Sequence, residues 1–566
     1  MVKVLKNFNF GVLLGALLFI STSCANKDNQ EQALSGNLII RSARFIADGQ
    51  INRINEAENR TGEKLASISK STPAPLLIHG GKDFDFTTTV QSNASAAQTN
   101  GLKAASATSL LRAADVPLNN SIKFRLVFMK DGNSTPIYNE VLTADQDPNL
   151  RIAVNTAYHW YAISVNDQST APDIDGSGSI QGADLANRDF MFASGAITGQ
   201  EGENYLDILF LRQMAAIELS LNTRGLFGGL TDNSVLSIGQ GTGGSFSNIV
   251  QTGDFNIFNG TFANLRDADP LRGDQMQIVD NRWGNAEKIG RFFTASNTTI
   301  PANNLCVKLN ALQITLDDNT TRTFAANTIV PIAHSNALNL TKGTLSSTSI
   351  RLIESGININ GLIWARTNLI YDVNKLYGGS YSAGNSDAYR FRPNNNYAYA
   401  NVNTEYWNFG TTVPSGTDYG SVDECRRVYP EGTWRLPQEL NNPKEMTQLS
   451  QNTNRTVSML QVADGYRYSI AWFSSQPANS AYPDNNLVLS FYGYRDANGN
   501  IQEIPSGSSN GTGTIQYRSN QFNTANNNNY VLYAQVNNGT YGNTSIIQTA
   551  PSLGTVIRCV RNVVNN

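Results

Sequence analysis

One short loop carries oxygen-bearing residues at alternating positions: Asp173, Asp175, Ser177, Ser179 and Asp184. Calcium prefers oxygen ligands from side chains and backbone carbonyls, and helix–loop–helix calcium sites supply them at this spacing around a glycine turn. The pattern therefore predicts a Ca2+ site, with side-chain oxygens from the aspartates and Ser177 and a backbone oxygen from Ser179. The alternative is an Asp/Gly/Ser turn between strands, because an aspartate occupies the last position, where a bidentate glutamate is usual.

Apart from this loop, few residues have a spacing that indicates catalysis or metal binding. His79, His159 and His334 are widely separated, which leaves little material for a histidine-rich metal site. Aspartates and glutamates are scattered, without the paired spacing that would indicate a glycosidase. We therefore expect that the protein is not an enzyme and that Ca2+ is its one cofactor candidate. A glycosidase is the alternative from the enzyme class.

The first residues indicate export. Lysines precede an apolar run at 10–20, which has the length of a signal-peptide core and is too short to span a bilayer. Small residues then lead to Cys24, and this pattern is similar to the lipobox, where lipoprotein signal peptides are cut and the cysteine is acylated; Ser21 stands where leucine is usual. We predict a signal peptide at 1–23 and palmitate on Cys24, whose acyl chains hold the protein on a membrane. Ordinary cleavage next to an incidental Cys24 is the alternative.

The three other cysteines are Cys306, Cys425 and Cys559. An exported protein meets oxidising conditions, so a disulfide is expected and one thiol is left over. Cys425 and Cys559 both lie in the last third of the chain, and we predict that they are bonded. Cys306 lies in a strand-like segment, where a cysteine usually acts as a small core side chain.

Composition narrows the range of functions. Lys and Arg number 42 and Asp and Glu number 45 in 566 residues, which gives a net charge of -3 and no basic surface for nucleic acid. Charged residues make up only 15%, whereas about 25% is usual, and Asn, Ser, Thr and Gly are abundant. This composition favours strands and loops over surface helices. The length indicates several domains.

The elements that position these residues are predicted from hydrophobic alternation. Apolar and polar residues alternate at 122–128, 158–165, 216–221 and 309–316, with turn residues between these segments. A period of two is typical of half-buried antiparallel strands. The pattern predicts a mainly β fold built from sandwiches, with a low-complexity insertion near 70–120.

The segment 349–566 differs from the rest of the chain. It holds four of the six tryptophans, no histidine and both cysteines of the predicted disulfide. We predict that it forms a separate, aromatic-rich domain.

Residues 24–348 contain a series of segments that resembles the fimbrillin family, the subunits of lipoprotein-derived (type V) pili. After the lipobox, these segments are 37–40, 124–128, the turn 130–132, 157–166, 189–194 and 211–217. The resemblance implies two transthyretin-like β-sandwiches, the first at 24–200 with the insertion near 70–120 and the second at 201–348.

The same resemblance implies strand exchange between fimbrial subunits. In shaft subunits of the family, an Arg-specific protease removes the first strand, and a strand of the next subunit occupies the exposed groove. The candidate cut sites in this chain are Arg41, Arg44 and Arg53. The alternative is that these arginines are ordinary solvated side chains of a strand.

The last domain resembles the FISUMP-type (major paralogous) domain, a C-type-lectin-like α+β domain. The segments that carry the resemblance are 361–369, Cys425 with 430–437, 493–496 and 556–561, in that order. The two cysteines fall where such a domain ties its ends together. The run 434–437 is also similar to formylglycine-generating enzymes, but those need active-site cysteines beyond the disulfide pair, and this domain has none.

These resemblances lead to a hypothesis of function. We expect a surface-exposed lipoprotein adhesin of the outer membrane, lipid-anchored and part of a fimbrium, which presents its lectin-like domain as a tip or accessory subunit. Its expected partners are other fimbrial subunits, bound by strand exchange, and a glycan or host-surface ligand. The alternative is a glycan-binding surface lipoprotein that does not polymerise.

The position within a fimbrium is predicted from the two ends of the chain. A shaft subunit must accept a strand and donate one, and donation requires an extended segment that is free to leave its own fold. The predicted C-terminal strand at 556–564 contains Cys559, so the disulfide would hold it in place. We therefore expect that this chain accepts a strand but does not donate one.

Overall fold

The computed structural model describes residues 35–46, 78–79, 83–92, 115–393, 403–414, 419–440, 443–462, 465–474, 486–505 and 509–562. The predicted signal peptide, Cys24 and Arg53 lie outside the described residues, as does most of the predicted insertion. The described chain is mainly β, which confirms the fold class predicted from the alternation of apolar and polar residues.

The N-terminal part of the described chain forms a β-sheet and one helical turn. Its strands are β1 (Ser35–Ile46), β2 (Ile78–His79), β3 (Phe84–Ser92), β4 (Asp115–Pro117), β5 (Lys123–Lys130), β6 (Tyr138–Thr143), β7 (Arg151–Ala153), β8 (Ala157–Ser164), β9 (Ser179–Ile180), β10 (Met191–Thr198) and β11 (Gly202–Arg212), and α1 is Gly182–Leu185. An eight-stranded sheet has the order β4-β1-β11-β10-β8-β5-β6, with β7 also paired to β1.

Burial alternates along β11 with a period of two, although apolar residues lie on both of its faces. In β11, Leu206, Ile208 and Phe210 are buried while the residues between them are exposed. They share one core with Phe124 and Phe128 of β5. The predicted boundary at 201 assigns β11 to the second sandwich, but β11 lies in the first sheet because it pairs in parallel with β1 along most of its length.

The middle of the chain forms further sheets around a second core. Its strands are β12 (Ala215–Gly225), β13 (Gly228–Leu230), β14 (Val235–Gln240), β15 (Ser247–Asn248), β16 (Gln251–Asn256), β17 (Thr261–Asp267), β18 (Leu271–Arg272), β19 (Gln277–Ile278), β20 (Glu287–Thr294), β21 (Thr298–Ile300), β22 (Leu305–Ala311), β23 (Gln313–Leu316), β24 (Thr321–Thr323), β25 (Thr328–Pro331), β26 (Leu338–Leu340) and β27 (Leu345–Glu354). A six-stranded sheet, β19-β20-β12-β27-β3-β2, and a sheet ordered β15-β14-β22-β25 contribute side chains to the same core.

Strand β3 reaches this second core from the predicted insertion. It pairs antiparallel with β27, from Phe84 opposite Glu354 to Ser92 opposite Ser346. Phe84 and its neighbour Phe86 are buried among the apolar side chains of the middle region. The two apolar residues alternate with polar ones, which is the pattern of a strand with one buried face, so this part of the predicted insertion is a core strand.

The prediction of one strand at 309–316 is wrong. The structure has two strands there, because β22 pairs with β14 and β25 while β23 pairs with β13 and β24. Leu312 is buried at the point where the chain leaves one sheet for the other.

The C-terminal part has many short strands. They are β28 (Ile357–Ile359), β29 (Leu362–Trp364), β30 (Leu369–Tyr371), β31 (Tyr389–Phe391), β32 (Trp434–Arg435), β33 (Arg455–Val462), β34 (Gly465–Phe473), β35 (Asn486–Ser490), β36 (Tyr494–Arg495), β37 (Ile501–Gln502), β38 (Gly513–Asn523), β39 (Asn528–Asn537), β40 (Thr540–Tyr541), β41 (Ser545–Thr549) and β42 (Val560–Arg561), and α2 is Glu445–Gln451. α2 packs Met446 and Leu449 into the main core of this part. None of the helices in the described ranges is long and apolar enough to cross a bilayer.

Candidate functional site

Strand β1 occupies an interior position in the first sheet. On one side it pairs in parallel with β11, and on the other it pairs antiparallel with β4 and β7. Leu38, Ala43 and Phe45 are its buried side chains, and they belong to the core of the first sheet. β1 therefore occupies the position next to β11, and a strand of another subunit could pair with β11 there only after β1 had been removed.

Two of the predicted cut sites lie within β1. The Arg41 guanidinium forms an ion pair with Asp207 of β11, and both side chains are largely in contact with solvent, at 65% and 36% exposure. Arg44 is half-buried and lies opposite Pro117 of β4 in the strand register. Cleavage after either residue would leave the end of β1 in the sheet, whereas cleavage after Arg53 would release all of β1.

The predicted calcium residues are held by protein groups. Arg125 forms an ion pair with Asp173. The Asp175 carboxylate accepts hydrogen bonds from the backbone N–H groups of Ser177 and Ser179 and from the Ser177 hydroxyl, and these bonds lower the pKa of Asp175. Asp184 lies in α1. Within the described ranges, no group of three or more His, Cys, Asp or Glu side chains could hold a metal ion, so calcium binding stays a prediction.

The predicted disulfide is present between Cys425 and Cys559. Cys559 immediately precedes β42, which pairs with β29 and β32 in the middle of a four-stranded sheet. Both cysteines are buried. Cys306 is free and buried in β22, and burial raises the pKa of its thiol to about 11, as suits a core side chain.

A cluster of buried charges joins the C-terminal part to the middle of the chain. We call it the junction cluster: Asp85, Arg322, Glu354, Arg366 and Arg561. Arg322 Nη1 lies 2.6 Å from Glu354 Oε2, and Arg561 Nη2 lies 2.5 Å from Asp85 Oδ2. Arg561 also donates to the backbone carbonyl of Glu354, and Arg366 Nε lies 3.5 Å from the Glu354 carboxylate. The side chains are at most 5% exposed, so these ions depend on each other for solvation.

A cleft lies at a second contact between the same two parts, with a cavity of about 310 Å³. On one wall, Arg224 at the end of β12 forms a two-pronged ion pair with Asp387, at 2.8 Å and 3.0 Å. The Arg224 guanidinium lies between the rings of Trp283 and Tyr429, at 3.3 Å and 3.9 Å from their centroids. The Tyr429 hydroxyl accepts a hydrogen bond from Asn222. This wall is built from both parts of the chain.

The other wall carries two further cations around one carboxylate. Arg390 of β31 places Nη2 at 2.5 Å from Asp317 and donates to the carbonyl of Phe227 at 3.1 Å. Lys375 Nζ lies 3.7 Å from Asp317, and its side chain is 34% exposed. The cleft therefore combines fixed, buried ion pairs with one lysine at its margin.

Two aromatic rings complete the cleft. Tyr377 meets Trp283 edge to face, with ring centroids 4.8 Å apart, and both residues are half-buried. Burial raises the pKa of Tyr377. Tyr377 begins the segment 377–386, in which Gly378 and Gly379 adopt positive φ angles of 99° and 79°, a backbone conformation that favours glycine.

No sequence pattern predicts this cleft. Its residues range from Arg224 to Arg390, across the boundary between two predicted domains, and no two of the charged residues form a motif. The one available signal was the segment 377–386, which is rich in Tyr, Gly and Ser, because antibody binding loops are enriched in these residues.

Comparison with known proteins gives similarities at the level of structure. No protein-family model and no curated protein matches the sequence. A candidate cell adhesion protein from Bacteroides fragilis is 14% identical, over 48% of this chain and 95% of that chain, with a TM-score of 0.27. The fimbrial anchor protein Mfa2 from Porphyromonas gingivalis is 10% identical, over 41% of this chain and 94% of that chain, with a TM-score of 0.20. Candidate polysaccharide-binding proteins from Bacteroides thetaiotaomicron are 11% identical over 38% of this chain and 75% of the other, with a TM-score of 0.21.

Proposed function

We propose that this protein is a surface adhesin that ends a fimbrial assembly, as a tip or accessory subunit, and presents its C-terminal part outward. The similar solved structures are described as adhesion, polysaccharide-binding and fimbrial anchor proteins, and an adhesive role is carried over to this chain as part of the proposal. Its support is the geometry of the two terminal strands, β1 and β42.

The observation that carries the proposal is the position of β42. This strand lies between two others, follows a disulfide-bonded cysteine directly, and contributes Arg561 to the junction cluster. To donate it, the chain would have to break a covalent bond and leave the Asp85 and Glu354 groups without Arg561. Strand donation requires a segment that is free to leave, so β42 is not a donor strand.

No disulfide holds strand β1 among the described residues. Its contacts include backbone pairing on both sides, three buried side chains and an ion pair at the surface, and these contacts are not covalent. Removal after Arg53 would free the edge of β11 for a strand of another subunit, and we propose Arg53 as the processing site that empties the groove. A chain that accepts a strand and donates none terminates a polymer.

Attachment to the cell is assigned to Cys24. We propose that the acylated Cys24 anchors the chain to the outer membrane before processing. Labelled palmitate should enter the full-length chain and should not enter the Cys24→Ala variant. Equal labelling of the two proteins would contradict the lipid anchor without bearing on the β-sandwich structure.

The alternative function is that of a glycan-binding surface lipoprotein that does not polymerise. The observation that favours it is the pairing of β1 on both sides, which leaves no open groove beside β1 in the part of the chain that the structure describes. In this alternative, β1 is never removed and the sandwiches act as a rigid stalk.

The experiment that separates the two functions uses the chain without its signal peptide, treated with an Arg-specific protease and mixed with shaft subunits purified from the same cells. We expect the treated chain to shorten the heat-resistant ladders of the shaft subunits on a gel and to form no ladder alone. The Arg53→Ala variant is the control and should leave the ladders long. Long homopolymers of the treated chain would contradict the terminal position, and unchanged ladders would favour the alternative.

A further inference from the structure

We propose that the cleft between the middle and C-terminal parts binds a saccharide that carries a carboxylate, such as a uronic or sialic acid residue. This inference rests on the proposed adhesin function, for which it names a ligand class and a site. The cleft residues are Arg224, Trp283, Asp317, Lys375, Tyr377, Asp387 and Arg390, and no sequence motif connects them.

The size and lining of the cleft suit a small polar ligand. Its volume of about 310 Å³ is at the lower end of the range for small-molecule sites, roughly 300–1,000 Å³. Charged and polar side chains contribute much of the lining, and the half-buried rings of Trp283 and Tyr377 form a corner at right angles to each other. A sugar ring has an apolar C–H face, which packs on aromatic rings, and an edge of hydroxyls, which hydrogen-bond to charged groups. The Arg224 guanidinium covers one face of Trp283, so the C–H face of a sugar would pack on the part of the Trp283 and Tyr377 corner that stays exposed, next to the charged groups that hydrogen-bond its hydroxyls.

The charges of the cleft favour an anion. Three cations, Arg224, Lys375 and Arg390, face two carboxylates, Asp317 and Asp387, which leaves one positive charge. The ion pairs with the largest burial are those of Arg224 and Arg390, so the charge that is open to a ligand is that of Lys375 at the margin. A sugar carboxylate placed near Lys375 would form a charge-assisted hydrogen bond, which is stronger than a bond between neutral groups.

The walls of the cleft are fixed before a ligand arrives. Arg224 is held by Asp387 and by the rings of Trp283 and Tyr429, and the junction cluster fixes the two parts of the chain relative to each other. A preorganised site loses little conformational entropy on binding. The C-terminal part alone would lack one wall, so the binding unit comprises both parts.

The test begins with an array of oligosaccharides and the chain without its signal peptide. The array pairs sialylated and uronic-acid glycans with neutral parents, for example 3′-sialyllactose with lactose. We expect at least one carboxylated glycan to bind about tenfold more tightly than its neutral parent. An array on which no carboxylated glycan has this preference would overturn the proposal, as would binding only to acidic peptides added as a separate probe.

Variants then assign the binding to the cleft by titration calorimetry with the best carboxylated glycan of the array. Lys375→Ala should remove most of the preference for the carboxylated glycan, and Lys375→Arg should keep it. Trp283→Ala should weaken binding of the carboxylated and neutral glycans alike. Lys342→Ala, an exposed lysine outside the cleft, is the matched control and should bind as the wild type does. Unchanged binding in both cleft variants would contradict the site.

The same variants separate this inference from the proposed function. Lys375→Ala should still shorten the ladders of shaft subunits after protease treatment, because β1 and β42 are intact in this variant. Loss of glycan binding with normal capping would support both proposals. Normal capping without any glycan binding by the wild type would overturn the cleft proposal alone.

Discussion

The first and last strands of the described chain are both interior strands of a sheet, but they are held there by different forces. β1 is twelve residues long and depends on backbone pairing on both sides, on three buried side chains and on an ion pair at the surface. β42 has only two residues, yet it follows a disulfide and places Arg561 in a buried cluster of charges. Surface ion pairs contribute about 0–1 kcal/mol, whereas breaking one partner of a buried pair costs about 3–5 kcal/mol. The ion pair of β1 therefore holds its strand less firmly than that of β42, and only β42 directly follows a disulfide-bonded cysteine.

The largest effect is expected from removing the disulfide. Cys425 and Cys559 are separated by 134 residues. On the chain-entropy model, a bond that closes a loop of this length lowers the entropy of the unfolded chain and so raises the free energy of unfolding by about 5 kcal/mol. The double variant Cys425→Ser/Cys559→Ser should unfold at a much lower denaturant concentration than the wild type, and the loss of stability should affect the C-terminal part. Chemical denaturation followed by tryptophan fluorescence measures this loss, because four of the six tryptophans lie in that part. A midpoint within error of the wild type would show that β42 is not held by the bond.

A slightly smaller effect is expected from Asp85→Ala. This substitution removes the carboxylate partner of the buried Arg561, and we expect a loss of about 3–5 kcal/mol in the free energy of unfolding. Asp207→Ala is the matched control, because it removes the partner of the exposed Arg41 and should cost less than about 1 kcal/mol. If the two variants lose the same free energy of unfolding, then the ion pairs of β1 and β42 contribute equally to stability and the prediction is wrong.

A third prediction concerns release of the two ends after cleavage. Protease treatment of the chain, followed by mild denaturant, should release the fragment that contains β1 while the rest of the chain stays folded. The fragment that contains β42 should stay attached until a reductant breaks the Cys425–Cys559 bond. Mass spectrometry of the released peptides measures both events. If β1 stays bound under conditions that release β42, then β1 is the firmly held strand and the prediction is wrong.

The smallest expected effect is the pH dependence of β1. Hydrogen bonds from Arg41 and Ser42 hold the pKa of Asp207 below its usual value of 3.8. Because the pKa of Asp207 is lower in the folded state than in the unfolded state, its carboxylate stabilises the fold at pH values above its unfolded-state pKa. This stabilisation is lost as the pH falls through the folded-state pKa of Asp207. After correction for the intrinsic exchange rates, we expect the amide hydrogens of β1 to exchange faster at pH 3 than at pH 5. The corresponding decrease in the free energy of opening β1 should be less than about 1 kcal/mol, because the ion pair is exposed. In the Asp207→Asn variant this difference should disappear.

Parts of the fold and of the site could be predicted from local patterns. The strands at 122–128 and 158–165 were found because a period of two in hydrophobicity reports which face of a strand is buried. The Cys425–Cys559 pair was found because only three cysteines follow Cys24 and these two both lie in the last third of the chain. The break of the segment 309–316 was missed although the alternation changes phase there: the apolar residues move from odd to even positions between Ala311 and Leu312, where the chain changes sheets.

The sequence by itself determined the mainly β fold, the faces that β5 and β8 bury, and the disulfide that holds the last strand. Only the tertiary structure decided that β3 completes a core with β27, that Asp85 neutralises Arg561, and that Arg224 and Arg390 face each other across a cleft. Asp85 and Arg561 are 476 residues apart. Alternation specifies that a side chain is buried but not which strand lies next to it, because backbone pairing is similar for every strand. The partners of buried charges are therefore set only when the whole chain has packed.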